Sequence, residues 1–122
     1  MYTRAYIAIA ALDITEMVNF YSKLLELEPE KYLPNIYAEF DLPQLRLAIF
    51  KPKIENVSEF DNSKSSGMSI CLEVVNIENA IAFFTKIGYP ISGDIITASH
   101  GKEIYAYDPA GNRLIIYQKN QV

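Results

Sequence analysis

Few side chains in this sequence suit acid–base or nucleophilic chemistry, and they stand far apart along the chain. His100 is the only histidine, and so the only side chain that titrates near neutral pH without perturbation; Ser99 and Gly101 beside it predict a solvated loop. Cys71 is the only cysteine, and its apolar neighbours predict a buried, unreactive thiol. A thiolate nucleophile would need a contact between Cys71 and His100 in the fold. Glu73 is the remaining acid–base candidate and is predicted to lie at the exposed end of a strand.

Composition narrows the class of protein. The 122 residues, 50% apolar and 21% charged, predict one globular domain, 1–122, with a sizeable core. A formal charge of −4 and a pI of about 4.9 argue against a nucleic-acid partner, because phosphate binding needs clustered Lys and Arg. A single cysteine cannot form an internal disulfide, which fits a cytoplasmic protein. Neither a secretion signal nor an apolar run that could span a membrane is visible, so no membrane partner is expected.

The same residue pattern occurs twice along the chain. Three pairs of segments match: 7–20 with 70–83, 36–41 with 104–108, and 46–50 with 113–117. The first pair runs from an apolar strand into a helical pattern, and the other two pairs form strand–turn–strand units. Internal repetition predicts two similar modules. We place module one at about 4–52, an exposed linker at about 53–67, and module two at about 68–119.

Each module is predicted to fold as β-α-β-β-β. Asp13, with Glu16 three residues later, forms a capping-box pattern at the start of the first helix. Asn76 stands at the same point of the second helix, and Gly88 is placed to end it. The turn Asp108–Asn112, with its proline and glycine, predicts a hairpin between the last two strands. Strand-like runs cover about 6–12, 30–32, 37–40 and 45–50 in module one; in module two the first strand carries Ser69, Cys71 and Glu73, and further runs cover about 91–98, 103–107 and 113–117.

The doubled βαβββ unit, the helix from Asp13 to Phe20-Tyr21, and the Asp-Pro-Ala-Gly-Asn hairpin together resemble the vicinal oxygen chelate superfamily. That superfamily includes glyoxalase I, extradiol dioxygenases, fosfomycin-resistance enzymes and bleomycin-resistance proteins. The resemblance runs from Tyr6 to Tyr117. It implies an α+β fold in which two tandem βαβββ modules form a curved mixed sheet around a cleft, with the helices outside. It also implies a homodimer, and it leaves open whether modules pair within one chain or between two chains.

In metal-dependent members of that superfamily, equivalent strand positions of the two modules hold a cation. By resemblance, the first-strand positions, where His is usual, fall on Tyr6 and Ser69, and the last-strand positions, where Glu is usual, fall on Ala48 and Ile115. Ala48 and Ile115 have no lone pairs to donate, whereas a hydroxyl and a protonated phenol are poor ligands. The sequence therefore predicts no metal at these positions and no cofactor.

Residues two apart in a strand share a face, so the neighbours of these positions are predicted to line the cleft. The fosfomycin-resistance branch has a substrate-facing tyrosine where this chain has Tyr105, and the repeat makes Tyr37 its counterpart. Arg46 and Arg113 are predicted to attract an anionic group if they face the cleft, although strand arginines are often solvated and strand tyrosines often structural. The predicted lining comprises Tyr6, Tyr37, Arg46, Ala48, Phe50, Ser69, Cys71, Tyr105, Arg113, Ile115 and Tyr117.

Three functions remain open at this point. The first is a metal-free protein that sequesters a small, partly apolar molecule, since an aromatic concavity with few polar groups is typical of small-molecule sites. The second is a metal-dependent enzyme of the glyoxalase or dioxygenase kind that has recruited other ligands. The third is a dimerisation or interaction module with a vestigial cleft. Candidate recruited ligands are Glu39, Glu73, His100 and Glu103.

Overall fold

The computed structural model describes residues 1–121, apart from the side chain of Ser63. The chain divides after Asn62 into two compact units, and each has the predicted order β-α-β-β-β. The first unit contains β1 (Ile7–Ala10), α1 (Ile14–Leu25), β2 (Lys31–Leu33), β3 (Tyr37–Leu42) and β4 (Leu45–Phe50). The second contains β5 (Ile70–Glu73), α2 (Ile77–Lys86), β6 (Ile96–Ala98), β7 (Gly101–Tyr107) and β8 (Arg113–Lys119). The α+β fold with two tandem βαβββ modules is thereby confirmed, whereas the cleft between the modules stays a prediction.

The first unit forms a mixed sheet in the order β1-β4-β3-β2, in which β1 is parallel to β4 and the other neighbours are antiparallel. One face of this sheet packs on α1. Phe40 and Leu47 lie opposite each other on that face, and the Phe40 ring centroid is 6.3 Å from that of Tyr21 on the helix. All three side chains are buried. The apolar stripe predicted for α1 therefore forms the core of this unit.

The second unit repeats the arrangement with the order β5-β8-β7-β6, again with one parallel pair, β5 and β8. Helix α2 packs against β8. Ile104 and Ile116 pair across β7 and β8, and both are buried together with Leu114 on the same face of β8. From α2, Ile77 and Phe84 are buried. One face of each sheet thus packs against its helix, and the other face is directed away from the helix.

Both helices begin where the sequence predicts. The Asp13 side chain accepts a hydrogen bond from the Glu16 backbone N–H at 3.0 Å, and Asn76 accepts one from the Asn79 N–H at 2.8 Å. These bonds satisfy donors that a helix start leaves without an intrahelical partner. A further donor of α2, the Ile77 N–H, is bound by a side-chain oxygen from β8. The predicted helix starts are confirmed.

Two segments differ from prediction. The run at 91–98 forms a strand only over Ile96–Ala98, because Ser92, Gly93 and Asp94 interrupt it with residues that favour turns. The exposed linker contains short 3-10 helices, Ile54–Phe60 and Ser63–Ser65, instead of only irregular chain. Within residues 1–121, no helix has the length and apolar character needed to cross a membrane.

Candidate functional site

The face of each sheet directed away from its helix carries the predicted site residues, and we call it the distal face. In a strand, alternate residues share a face. Phe40 and Leu47 face α1, so Glu39 and Asp41 on β3 and Arg46 and Ala48 on β4 belong to distal face one. Because Ile104 and Ile116 face α2, distal face two is assigned the same way. The structure thus brings the predicted residues together within each unit, on these two faces: Tyr37, Arg46, Ala48 and Phe50 on the first, and Cys71, Tyr105, Arg113, Ile115 and Tyr117 on the second.

A buried carboxylate lies at the centre of distal face one. Glu39 is 2% exposed, and its Oε1 accepts a hydrogen bond from Arg46 Nη1 at 3.0 Å while Oε2 lies 3.8 Å from Lys31 Nζ. Arg46 also approaches Glu30 and Asp41, each at 3.4 Å. The hydrogen bond to Glu39 is the largest cause that raises the pKa of Arg46. Three carboxylates therefore surround this one guanidinium, and its charge is compensated locally.

Tyr37 borders this cluster. Burial raises the pKa of Tyr37, and the negative charge of Glu39 and a hydrogen bond to it raise that pKa further, with a smaller contribution from Tyr6. A phenol with a raised pKa stays protonated, so it remains a hydrogen-bond donor. Tyr37 therefore donates toward Glu39 and cannot act as a phenolate base at neutral pH. Ala48, directly opposite Glu39 across the hairpin, leaves the carboxylate with an apolar neighbour.

The register corrects one predicted correspondence between the modules. Tyr37 was predicted to be the counterpart of Tyr105, but the hairpins pair Arg46 with Asp41 and Arg113 with Tyr107. With the arginines superposed, strand alternation makes Glu39 the counterpart of Tyr105. The cause is turn length: β3 and β4 are joined by two residues, whereas β7 and β8 are joined by the five-residue Asp108–Asn112 turn. A residue match read from sequence cannot detect that difference.

On distal face two, Arg113 makes neutral contacts. Its Nε donates to Ser69 Oγ at 2.7 Å, and its Nη2 donates to the Ser66 carbonyl at 2.6 Å. The guanidinium carbon lies 6.0 Å from the centroid of the Tyr105 ring, within range of a cation–π interaction. Tyr105 in turn donates to Glu103 Oε1 at 3.4 Å. Each distal face thus carries a Tyr–Glu pair two residues apart on one strand, in opposite order.

The candidate nucleophile, Cys71, and the candidate base, His100, do not form a pair. Cys71 is exposed, so the prediction of a buried thiol is wrong: it shares the face of Ile115, directly opposite, and not that of Leu114. Partial burial raises its pKa, and the charges of Glu103 and Glu73 raise it further, which keeps the thiol protonated. Among the described residues, no contact joins Cys71 to His100.

His100 lies in the turn before β7, as predicted. Its ring centroid is 5.3 Å from that of Tyr117, and its backbone carbonyl accepts a hydrogen bond from the Tyr117 hydroxyl at 2.9 Å. The imidazole is exposed. Within the second unit this contact positions the turn, and the geometry gives His100 no carboxylate to orient it as a general base.

The four positions that hold a cation in metal-dependent relatives do not fit one here. Ala48 and Ile115 present only hydrocarbon, and Ser69 already accepts a hydrogen bond from a guanidinium. The Tyr6 hydroxyl lies 2.8 Å from Arg4 Nη2, which donates to it. A cation placed at either hydroxyl would meet an arginine's positive charge, which opposes binding. Over residues 1–121, moreover, no three His, Cys, Asp or Glu side chains lie close enough together to hold a metal ion.

A depression of about 510 Å³ opens at the end of the second sheet. Lys64, Tyr107 and the turn residues from Asp108 to Gly111 line it. Tyr107 is opposite Arg113 in the register and is 46% exposed. The Asp108 carboxylate is directed into its own turn, where it accepts hydrogen bonds from the N–H groups of Ala110 and Asn112, both at 2.9 Å. Sequence reasoning did not find this depression, because Lys64 belongs to the linker.

Two βαβββ units, each with a helix on one face of a mixed sheet and polar and aromatic residues on the other, define the glyoxalase-like class of α+β proteins. The chain belongs to the glyoxalase/bleomycin resistance protein/dioxygenase superfamily, whose family model matches residues 3–116. No curated protein matches the chain.

Solved structures agree with this assignment at the level of the fold. A protein from Agrobacterium tumefaciens, determined by NMR in solution, is 18% identical with a TM-score of 0.79, and the match covers 99% of this chain and 100% of that one. A lactoylglutathione lyase from the same organism is 17% identical with a TM-score of 0.70, covering 95% and 92% of the two chains. A genomically encoded fosfomycin resistance protein from Listeria monocytogenes is 13% identical with a TM-score of 0.74, covering 98% and 95%. At such identities the likeness concerns the fold alone.

Proposed function

We propose that this protein binds a small, partly apolar organic molecule on its distal faces without a metal ion. The observation that carries the proposal is the chemistry at the four positions where metal-dependent relatives hold a cation. Two of them are hydrocarbon, Ala48 and Ile115, and the other two accept hydrogen bonds from arginines. Sequestration requires affinity alone, so it needs none of the catalytic groups that these faces lack.

The lining supports a small-molecule ligand. Exposed tyrosines, Tyr105 at 38% and Tyr107 at 46%, supply flat surfaces with a polar tip, and Ile115 and Cys71 supply small apolar surface between polar groups. Such a mixture is what ligand sites in proteins commonly present. A homodimer and a cytoplasmic location belong to the same proposal; the first is supported by the superfamily's habit and the second by the single cysteine.

Metal retention tests the proposal first. The protein is incubated with Zn, Ni, Mn and Fe(II), freed of excess metal by gel filtration, and submitted to elemental analysis. We expect far less than one equivalent per chain. The variant carrying Tyr6→His, Ser69→His and Ile115→Glu restores three family donors and serves as the matched control for the assay. Retention of one equivalent by the unaltered protein would contradict the proposal and favour an enzyme with recruited ligands.

Ligand binding tests the second half of the proposal. A thermal-shift screen of small aromatic and drug-like molecules is expected to give hits that raise the midpoint, because a ligand that binds only the folded state stabilises it. Hits are retested on Tyr105→Phe and Tyr37→Phe, with Tyr2→Phe as control, since Tyr2 is 73% exposed at the chain start. An equal shift in all variants would exclude the two tyrosines from the site. A screen without hits would favour a vestigial cleft.

A further inference from the structure

The arginines at matching positions of the two sheets have opposite electrostatic surroundings. Arg46 has three carboxylates within 3.4 Å, the nearest at 3.0 Å. Arg113 instead donates to a hydroxyl and a carbonyl, at 2.7 and 2.6 Å. Within residues 1–121, no carboxylate lies at ion-pairing distance from Arg113. Carboxylates therefore compensate the charge of the first guanidinium, whereas the second has only neutral hydrogen-bond partners.

Arg113 is also held in place for an incoming group. Nε is bound by Ser69 and Nη2 by Ser66, so the plane of the guanidinium is fixed before any ligand arrives. Among the described residues Nη1 has no hydrogen-bond partner. A fixed arginine with a free donor edge matches the planar, two-oxygen geometry of carboxylates and related oxyanions. Because its present partners are neutral, an oxyanion would not have to displace a competing carboxylate.

A second cation lies near Arg113, at the end of the second sheet where β8 begins. The depression beside Tyr107 carries a second cation, Lys64. The one carboxylate in its lining, Asp108, accepts four hydrogen bonds from Ala110 and Asn112. These donors offset much of the charge that Asp108 presents to the depression. Two cations thus flank an exposed aromatic ring at this end of the second sheet.

Two carboxylates lie further along distal face two, next to Tyr117 and ahead of Lys119 at the end of β8. Glu73 and Glu103 lie on either side of Tyr117 in the register, and both raise the pKa of the nearby thiol. Tyr117 lies four residues after Arg113 along the extended strand, roughly 13 Å away. Along β8 the face thus passes from the cation Arg113 over the apolar Ile115 to the two carboxylates beside Tyr117. An anionic group is attracted to Arg113 and repelled by Glu73 and Glu103.

We propose that the ligand carries an oxyanion, of the carboxylate, sulfonate or phosphonate class, on an aromatic or apolar body, and that Arg113 receives it. Arg46 takes no part in this recognition, because the carboxylates of Glu39, Glu30 and Asp41 already compensate its charge. The inference rests on the proposed small-molecule function and narrows it from an unspecified molecule to an anionic one with a fixed orientation.

Two fluorescent probes that differ by one charged group test the inference. Anilinonaphthalene sulfonate carries a sulfonate, and phenylnaphthylamine has the same skeleton without it. Both are titrated against the full-length protein at low and at high salt. We expect the sulfonate probe to bind about tenfold more tightly than the neutral one, the value of one charge-assisted hydrogen bond. Raising the salt concentration should reduce this preference.

Three variants test whether Arg113 supplies the positive charge that binds the sulfonate. Arg113→Gln is expected to weaken the sulfonate probe about tenfold and to leave the neutral probe unchanged. Arg113→Lys keeps the charge and should retain most of the preference. Lys86→Gln changes the net charge by the same amount at the end of α2 and should change neither affinity. Circular dichroism and thermal melting establish that each variant is folded, and Arg113→Met, which also removes the charge, takes the place of the glutamine variant if that one does not fold.

Failure of this inference and failure of the proposed small-molecule function give different results in these titrations. If the two probes bind the unaltered protein equally, or if a folded variant that removes the charge of Arg113 binds the sulfonate like the unaltered protein, the inference is overturned and the proposed function stands. An equal loss on Lys86→Gln would also overturn it, because a general charge effect would then explain the preference. If neither probe binds, the proposed function fails and the inference fails with it.

Discussion

Glu39 shows how much of distal face one depends on a single side chain. A buried carboxylate is costly unless cations and hydrogen-bond donors compensate it, and here Arg46, Lys31 and Tyr37 do so. From sequence, Glu39 is a candidate only for a recruited metal ligand. Its compensated state makes it unsuited to that role, since a cation would have to displace an arginine already at 3.0 Å. Arg46 is for the same reason a poor anion receptor.

Removing the charge of Glu39 should lower the pKa of Tyr37. Glu39→Gln removes a negative charge and leaves burial, the largest cause of the raised value, in place. The pKa of Tyr37 therefore falls only part of the way to its ordinary value. Ultraviolet titration of phenolate absorbance, as the difference from the same protein with Tyr37→Phe, measures it. Glu55→Gln, in the linker, is the control; a pKa of Tyr37 that is unmoved by Glu39→Gln would contradict the hydrogen bond.

Cys71 should react more slowly than an ordinary exposed thiol. Burial and the charges of Glu103 and Glu73 raise its pKa, and only the thiolate is nucleophilic. At a pH below that pKa, Glu103→Gln lowers the pKa, increases the thiolate fraction and accelerates alkylation by iodoacetamide. Glu78→Gln, on the exposed side of α2, should leave the rate unchanged. A rate that is independent of Glu103 at every pH would show that its charge does not reach the thiol.

At the scale of elements, the two capped helix starts are equivalent in the two modules. Asp13→Ala and Asn76→Ala each remove a side-chain acceptor at 3.0 or 2.8 Å from an N–H of the first turn. Each should lower the free energy of unfolding by about 1 kcal/mol, measured by urea denaturation. Thr15→Ala, an exposed change in the first turn of α1, should not destabilise the protein. A loss seen with Asp13→Ala and not with Asn76→Ala would mean that the start of α2 relies on Gln118 instead.

Gly101 is required where β7 begins, because a side chain there has no room. A Cβ at this position would clash with the Gln118 carbonyl oxygen and lie 2.9 Å from the Tyr117 ring. Gly101→Ala should therefore displace the pairing of β7 with β8 and lower the free energy of unfolding by about 1–3 kcal/mol. Gly67→Ala is the matched control, since nothing lies within 4 Å of the point where its methyl group would stand. Equal stability of the two variants in urea would contradict this close approach.

The same elements show how far sequence reasoning reaches. The helix starts and the face shared by alternate strand residues follow from local chemistry, so Asp13, Asn76 and the grouping of Arg113 with Ile115 were predictable. The correspondence of Tyr105 with Glu39 was not, because it depends on hairpin length and not on residue similarity. Cys71 was misassigned for a related reason: an apolar strand run does not reveal which of its two faces is covered.

For the molecule as a whole, the charges are unevenly distributed although their sum is only −4. On distal face one, cations and carboxylates compensate each other around Glu39. On distal face two, by contrast, Arg113 has no carboxylate at ion-pairing distance among the described residues, and Glu73 and Glu103 lie four residues along β8, beside Tyr117. A protein of acidic pI can thus still attract an anion locally, because short-range fields decide binding at a site. The net charge argues against nucleic acid as a partner class and leaves small anions open.

Each compact unit by itself should be too small to fold. A chain of about 60 residues buries only about 60% of the surface that it exposes when unfolded, and each unit has one helix with which to cover one face of its sheet. We predict that fragments 1–62 and 63–122, made separately, show weak circular dichroism and poorly dispersed amide resonances. The full-length chain should melt cooperatively in the same buffer. A fragment with dispersed resonances and a cooperative melt would show that one βαβββ module is an independent folding unit, and that the repeat arose from a domain able to stand alone.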